Sequence, residues 1–360
     1  MKKLQNKNID PPKKRTIQPT KKKTARKVKK TTLILHVGLP KTGTTAAQNF
    51  FYNNIDQIKN DGITYFSISE NHSKPISTIF LENPEKYYMN VKEGLDTKEK
   101  VKPLATEYRN RLISEIKECQ TPKFLISAEN ILYMTGKEYK KMINFFYLHF
   151  DSIEIIGHIR PFSSFLNSLY SQWLKRGQPI NLPKLMPGYR RLLHKLFLIK
   201  LDNVDIKLYE RSNFIHNSTV CDLLKTMNAS KKLINLARLY EFSEYSKNIS
   251  LSEKGAKFLH LANESIPIFI NGKLNKERSN KLLLIAEKLS KKPNEPVRLS
   301  NATCMNLYLN QREDIDWVKS ELNIDCCDLI NYEGNFDPNS ISYSENELKD
   351  LILKLNNFLK

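Results

Sequence analysis

Residues 31–37, TTLILHV, form a short β-rich apolar run that stops at Gly38, and four comparable runs follow at 63–67, 123–127, 153–159 and 204–209. Between them apolar residues recur with helical spacing, at 46–60 (Phe50, Phe51, Ile55, Ile58), 76–81, 101–119, 136–150 and 162–175. Runs this short and this apolar suit strands buried on both faces. Strands that alternate with helices connect by right-handed crossovers, which yields a mostly parallel sheet covered on both sides. The chain is therefore expected to be an α/β protein with a five-stranded central sheet. Residues from 246 on read as mainly helical and polar, a C-terminal cap over about 246–360. No linker composition interrupts the chain after residue 31. One domain over 31–360 is expected, with its core at about 31–215.

The first run leads into a turn, Gly38-Leu-Pro-Lys-Thr-Gly-Thr-Thr45, and then into the first helical pattern. A strand, a glycine-containing loop and a helix N-terminus together make an anion site, because N–H groups converge there and the helix dipole adds positive potential. Gly38 and Gly43 have the separation of the GxxxxGK[ST] phosphate loop, and Thr45 takes its Ser/Thr position. Position 44, however, is Thr where that loop carries lysine, and the only lysine of the turn, Lys41, precedes the second glycine. This register argues against a cradle for the β/γ phosphates of a nucleoside triphosphate, and so against a kinase. A smaller anion fits better.

Charge is unevenly spread. The whole chain carries +20, but residues 1–30 hold 13 Lys/Arg against one acid, Asp10, a net of +12 that leaves +8 on the other 330 residues. That first segment has almost no large apolar residues and is expected to be a disordered basic tail. It is either a solvated arm or a contact with an anionic membrane surface. Nucleic acid is not expected as a partner, since the segment carries no recognisable binding motif. The residual +8 favours anionic ligands on the folded part. The longest apolar run, 282–286, is far below the ~18 residues of a bilayer span. The N-terminus also lacks the apolar centre of a secretory signal. Five cysteines without zinc spacing read as reduced thiols. A cytoplasmic location is expected, peripheral at the inner membrane face if the tail binds lipid.

The string HVGLPKTGTT at the head of a helix resembles the 5′-phosphosulfate loop of the sulfotransferases, which reads PKTGTT or close variants. A second motif is similar. IEIIGHIRPFSSFLNSLYSQW sets Arg160 at a strand end and Ser168 eight residues on in the next helix, where that family carries the pair that holds a 3′-phosphate. The resemblance covers roughly residues 31–215, with VDIKLYER as the fifth strand. GLPKTGTT, DGITYF and SLYSQ look like bacterial members of the family. The resemblance implies a three-layer P-loop-like fold, 3′-phosphoadenosine 5′-phosphosulfate as sulfuryl donor, and no required metal. It implies that Lys41 neutralises the leaving phosphate, and that Thr42, Gly43, Thr44 and Thr45 hold the 5′-phosphate through N–H groups and the last two hydroxyls. Arg160 and Ser168 would hold the 3′-phosphate. The Gly-rich 3′-phosphate loop of the cytosolic enzymes is not found; Arg298, in PVRLSN, is the candidate for part of its role.

Sulfuryl transfer to a hydroxyl needs a base. Three residues qualify. Glu129 follows the third strand in LISAEN, at the edge where open α/β sheets bind ligands. His72 lies in ENHS, after the second strand. His158 stands two before Arg160, hence on the same face of its strand. The expected acceptor is a hydroxyl of a carbohydrate or cell-envelope glycan precursor. The rival reading is a catalytically inactive anion- or nucleotide-binding protein of the same fold, with the basic tail as its working part.

Overall fold

The computed structural model describes residues 31–177, 180–244, 250–270, 273–275, 278, 280–290 and 295–359. The basic tail at 1–30 lies outside them. Strands β1 (Thr32–His36), β2 (Ile63–Tyr65), β3 (Lys123–Ser127), β4 (Ser152–Ile159) and β5 (Asn203–Leu208) form one sheet in the order β2-β3-β1-β4-β5. Every pairing is parallel, so the sheet is wholly rather than mostly parallel.

Each parallel neighbour requires a crossover. Helices α1 (Thr44–Asn53) and α2 (Ile55–Asn60) lead from β1 to β2, and α3 (Ser73–Phe80), α4 (Tyr88–Lys92) and α5 (Lys98–Glu118) from β2 to β3. One helix, α6 (Gly136–Tyr147), joins β3 to β4; α7 (Phe162–Lys175) and α8 (Tyr189–Leu193) lie between β4 and β5. Beyond the sheet come α9 (Thr219–Thr226), α10 (Lys231–Glu244) and α11 (Glu253–Ser265). A small antiparallel pair, β6 (Phe269–Ile270) and β7 (Lys273–Leu274), precedes α12 (Lys281–Leu289), α13 (Asn301–Leu309), α14 (Arg312–Leu322) and α15 (Glu345–Leu359).

Residues alternate between the two faces of the sheet. Ile34, Leu125 and Ile156 pack under Phe50 and Phe51 of α1 and Val220 and Leu224 of α9. Leu35, Ile126 and Ile155 belong to the larger core on the other face, with Ile76 of α3, Phe146 of α6 and Leu166 of α7. The result is three layers. The apolar run at 46–60 is two helices rather than one, because Asn54 leaves the helical region (φ −126°, ψ 32°) and its Nδ2 donates to the Phe50 carbonyl at 2.8 Å. Gly157 of β4 lies so close to β1 that a Cβ there would stand 1.8 Å from the Val37 carbonyl oxygen.

The C-terminal helices dock on the sheet layer through α7, against which α11 and α13 pack. Helix α7 begins at Pro161 with no side-chain cap of its own. Its cap comes from Asp328, whose carboxylate accepts from the Ser163 N–H at 2.8 Å and the Ser163 hydroxyl at 2.6 Å. No helix among the described residues is long and apolar enough to cross a membrane.

Candidate anion site at the carboxyl edge of the sheet

Strand β1 lies between β3 and β4, so the chain leaves it toward opposite sides of the sheet. Such a point opens a crevice at the carboxyl ends of the strands. The loop after β1 occupies it. Val37 and Leu39 continue the parallel pairing, their N–H groups donating to the carbonyls of Ile156 (2.9 Å) and His158 (3.2 Å). The chain then turns sharply. Lys41 and Gly43 both take positive φ (72° and 77°), and the Thr42 hydroxyl donates to the Leu39 carbonyl at 2.7 Å. A Cβ on Gly38 would lie 2.3 Å from Thr44 Cγ2, and one on Gly43 would lie 2.8 Å from Thr219 Oγ1. The two glycines are thus where the loop folds tightly on itself and on α9.

Helix α1 starts at Thr44. Among the described residues no acceptor takes the N–H of Gly43, Thr44 or Thr45, as expected of a helix's first turn. The Thr45 side chain is exposed and the Thr44 side chain buried. The Thr44 hydroxyl donates to Glu129 Oε1. That corrects one expectation: Thr44 offers an anion its N–H, while its hydroxyl proton is committed to Glu129. Thr42 likewise has only its N–H to offer.

Cations converge on the loop. Partial burial and the charges of Arg160, Lys175 and Arg176 all hold the Lys41 amine below its usual pKa, with Glu129 pulling the other way. Like charges brought together this closely lower one another's proton affinity, and an anion relieves the repulsion. Arg160 is fixed from four sides. Its Nε donates to Ser164 Oγ (2.8 Å), its Nη1 to the Lys41 carbonyl (2.7 Å), its carbonyl accepts from the Tyr189 hydroxyl (2.7 Å), and its guanidinium lies 5.4 Å from the centre of the Tyr209 ring. Ser168 is half-buried one helical turn beyond Ser164, on the same flank of α7.

Glu129 opens the 3-10 turn Glu129–Tyr133 that follows β3. Burial pushes its carboxyl above the usual range, against the Thr44 hydrogen bond and the Lys41 charge. The turn is held from below by Lys195, a buried amine that donates to the carbonyls of Leu132 (2.5 Å) and Met134.

The two histidines stand elsewhere. His72 is fully buried. Its Nδ1 accepts the Ser127 N–H at 2.9 Å, so Nε2 carries the proton and donates to the Phe66 carbonyl at 2.7 Å. Burial brings its pKa down to about 3. With both nitrogens used, His72 ties the β2–α3 connection to the end of β3 and has none left for a substrate. His158 is buried against Phe214 and Tyr209, with Nε2 3.3 Å from Asp222 Oδ2. Arg298 lines a cavity of about 630 Å³ with Lys254, Glu295 and Asn301, and the next residue, Leu299, donates its N–H to Asn167 Oδ1 at 2.8 Å on α7.

Six participants were not among the residues singled out from sequence. Ser164, Tyr189 and Tyr209 hold Arg160, Lys175 and Arg176 add charge, and Lys195 holds the Glu129 turn. Tyr209 had a visible signal, since β5 pairs with β4 through Leu208 opposite Ile159 and the next residue must flank Arg160. Lys175 and Arg176 had none beyond being basic. No protein-family model matches the chain, and no curated protein matches it.

Proposed function

We propose that this chain is a sulfotransferase, which moves a sulfuryl group from 3′-phosphoadenosine 5′-phosphosulfate to a hydroxyl of a carbohydrate or cell-envelope glycan precursor. One observation carries the reading. Lys41 and Arg160 converge on the loop before α1, and a raised carboxyl, Glu129, stands directly behind it on Thr44. The N–H groups of Gly43, Thr44 and Thr45 and the Thr45 hydroxyl suit the 5′-phosphate. Arg160, half-buried and planar, suits a second phosphate, with Ser168 beside it.

In the transfer a bond forms from the acceptor oxygen to sulfur as the bond from sulfur to the 5′-phosphate oxygen breaks. Positioning and charge stabilisation do most of the work in such displacements. Lys41 neutralises the oxygen that leaves with the nucleotide. Glu129 takes the acceptor's proton, a role suited to a carboxyl whose pKa burial has moved toward neutrality. His72 is not the base in this scheme. The scheme belongs in a reducing, cytoplasmic setting, in which the cysteines stay thiols.

Calorimetry decides the donor. 3′-Phosphoadenosine 5′-phosphate should bind the protein at least about 10-fold more tightly than adenosine 5′-monophosphate, the difference being the Arg160 contact. Equal affinities would remove the 3′-phosphate from the scheme.

A further inference from the structure

Beside Glu129 lies a second cleft that the donor scheme does not use. It has a volume of about 280 Å³ and is bordered by Tyr87, Tyr88, Tyr133, Asn83, Asn130 and Lys86. Its floor is continuous with the base. Asn130 and Tyr133 belong to the same 3-10 turn as Glu129, and the Glu129 charge is near enough to raise the pKa of both Tyr87 and Tyr133, after burial, which acts first on each. We infer that this cleft is the acceptor subsite and that it takes a sugar ring of a glycan, preferably one bearing a carboxylate or other negative charge. The inference rests on the transfer reading of Glu129 given above.

Three features select the ligand class. First, the rim is aromatic yet open: Tyr88 and Tyr133 are 68% and 49% exposed. Exposed tyrosine rings present flat apolar faces with a polar tip, which match the C–H face of a pyranose ringed by hydroxyls. Second, the remaining lining is rich in hydrogen-bonding groups. The Asn130 amide donates to the Tyr87 hydroxyl, which fixes both at the centre of the cleft, and Asn83 is exposed at its edge. Leu81 is the only aliphatic side chain of the lining, too little for a steroid or an acyl chain. Third, the lining carries one cation, Lys86, and one carboxylate, Glu138, and the carboxylate is already engaged. It accepts from the N–H groups of Glu82 and Thr135, both at 2.8 Å. Lys86 has no ion-pair partner among the described residues and is free to meet an anionic substituent. The cleft's volume falls just under the ~300 Å³ at which small-molecule sites usually begin, and so suits one ring of a longer chain.

Saturation-transfer NMR on the full chain tests this with three probes: a neutral N-acetylglucosamine disaccharide, a disaccharide of glucuronic acid and N-acetylglucosamine, and 4-nitrophenol. Transfer to the ring protons of both sugars is expected, with the acidic one bound the more tightly. Tyr88→Ala and Tyr133→Ala should each weaken sugar binding about 3- to 10-fold, and Lys86→Ala should abolish the preference for the acidic sugar. Nucleotide affinity, measured by calorimetry in the same variants, should not move. No transfer to either sugar, preference for 4-nitrophenol, or unchanged sugar binding in both tyrosine variants would overturn the inference. If the sugars bind as expected but 3′-phosphoadenosine 5′-phosphate does not, the donor reading fails and the cleft stands as a glycan site.

Discussion

A carboxyl and a hydroxyl, Glu129 and Thr44, join the two halves of the candidate site, and their bond sets what single substitutions should do. In the proposed transfer, Glu129→Gln keeps the shape and removes the base; turnover should fall on the order of 10²-fold while nucleotide affinity holds. Because burial raises the Glu129 pKa, the wild-type rate should decline on the acid side from a point above the ordinary carboxylate range, and that limb should vanish in the variant. Lys41→Ala should lower turnover more than donor affinity, since its charge counts most as the leaving oxygen forms. Arg160→Ala should mainly weaken nucleotide binding, by about 2–3 kcal/mol, measured by calorimetry. His72 and His36 make a different prediction. Both are buried with pKa values near 3, against about 6.5 in an unfolded chain. The unfolded chain therefore binds the extra protons between these values. Their contribution to stability is fully present above about pH 6.5 and is lost as pH falls from there toward 3. Thermal midpoints measured between pH 7.5 and 5 should fall accordingly, and His72→Asn should flatten part of that slope.

At the scale of elements, two contacts carry the geometry. Gly157 lets β4 approach the end of β1, and Gly157→Ala should destabilise the protein by roughly 1–3 kcal/mol in urea titrations, because a backbone carbonyl cannot step aside. Lys195 holds the turn that carries Glu129. Lys195→Met should lower turnover without changing nucleotide affinity, which separates a loosened turn from a lost anion site. The five strands and the glycine-containing turn before α1 were legible in the sequence, because each is a local pattern: an apolar run of fixed length, or glycines at fixed spacing. Glu129 was legible as a strand end. The role of His72 was not, since ENHS looks like a solvated loop and only the fold brings the Ser127 N–H and the Phe66 carbonyl to its ring. Nor was the support from Lys195, which lies 66 positions from Glu129 and reads locally as one more surface lysine.

Across the whole molecule, the C-terminal segment braces the start of α7, the helix that follows Arg160. The Cys326 carbonyl accepts from the Phe162 N–H at 2.9 Å, Asp328 caps α7 through Ser163, and the Tyr332 hydroxyl meets Asn167 at 3.1 Å. Asp328→Ala should cost about 1 kcal/mol of stability, the usual worth of a helix cap, and should weaken nucleotide binding because Arg160 stands at the mouth of that helix. Calorimetry and a urea titration on the same sample would show both. None of this was visible beforehand: the polar stretch around Asp328 has no pattern of its own, and its partner is 165 residues away. That distance also has a temporal meaning. A ribosome adding about 5–20 residues per second needs roughly 8–33 s to travel from Ser163 to Asp328. For that interval the nascent sheet layer can assemble around β1 to β4 while the first turn of α7 has no cap. A chain still attached to the ribosome would therefore hold the start of α7 uncapped until residue 328 has been made.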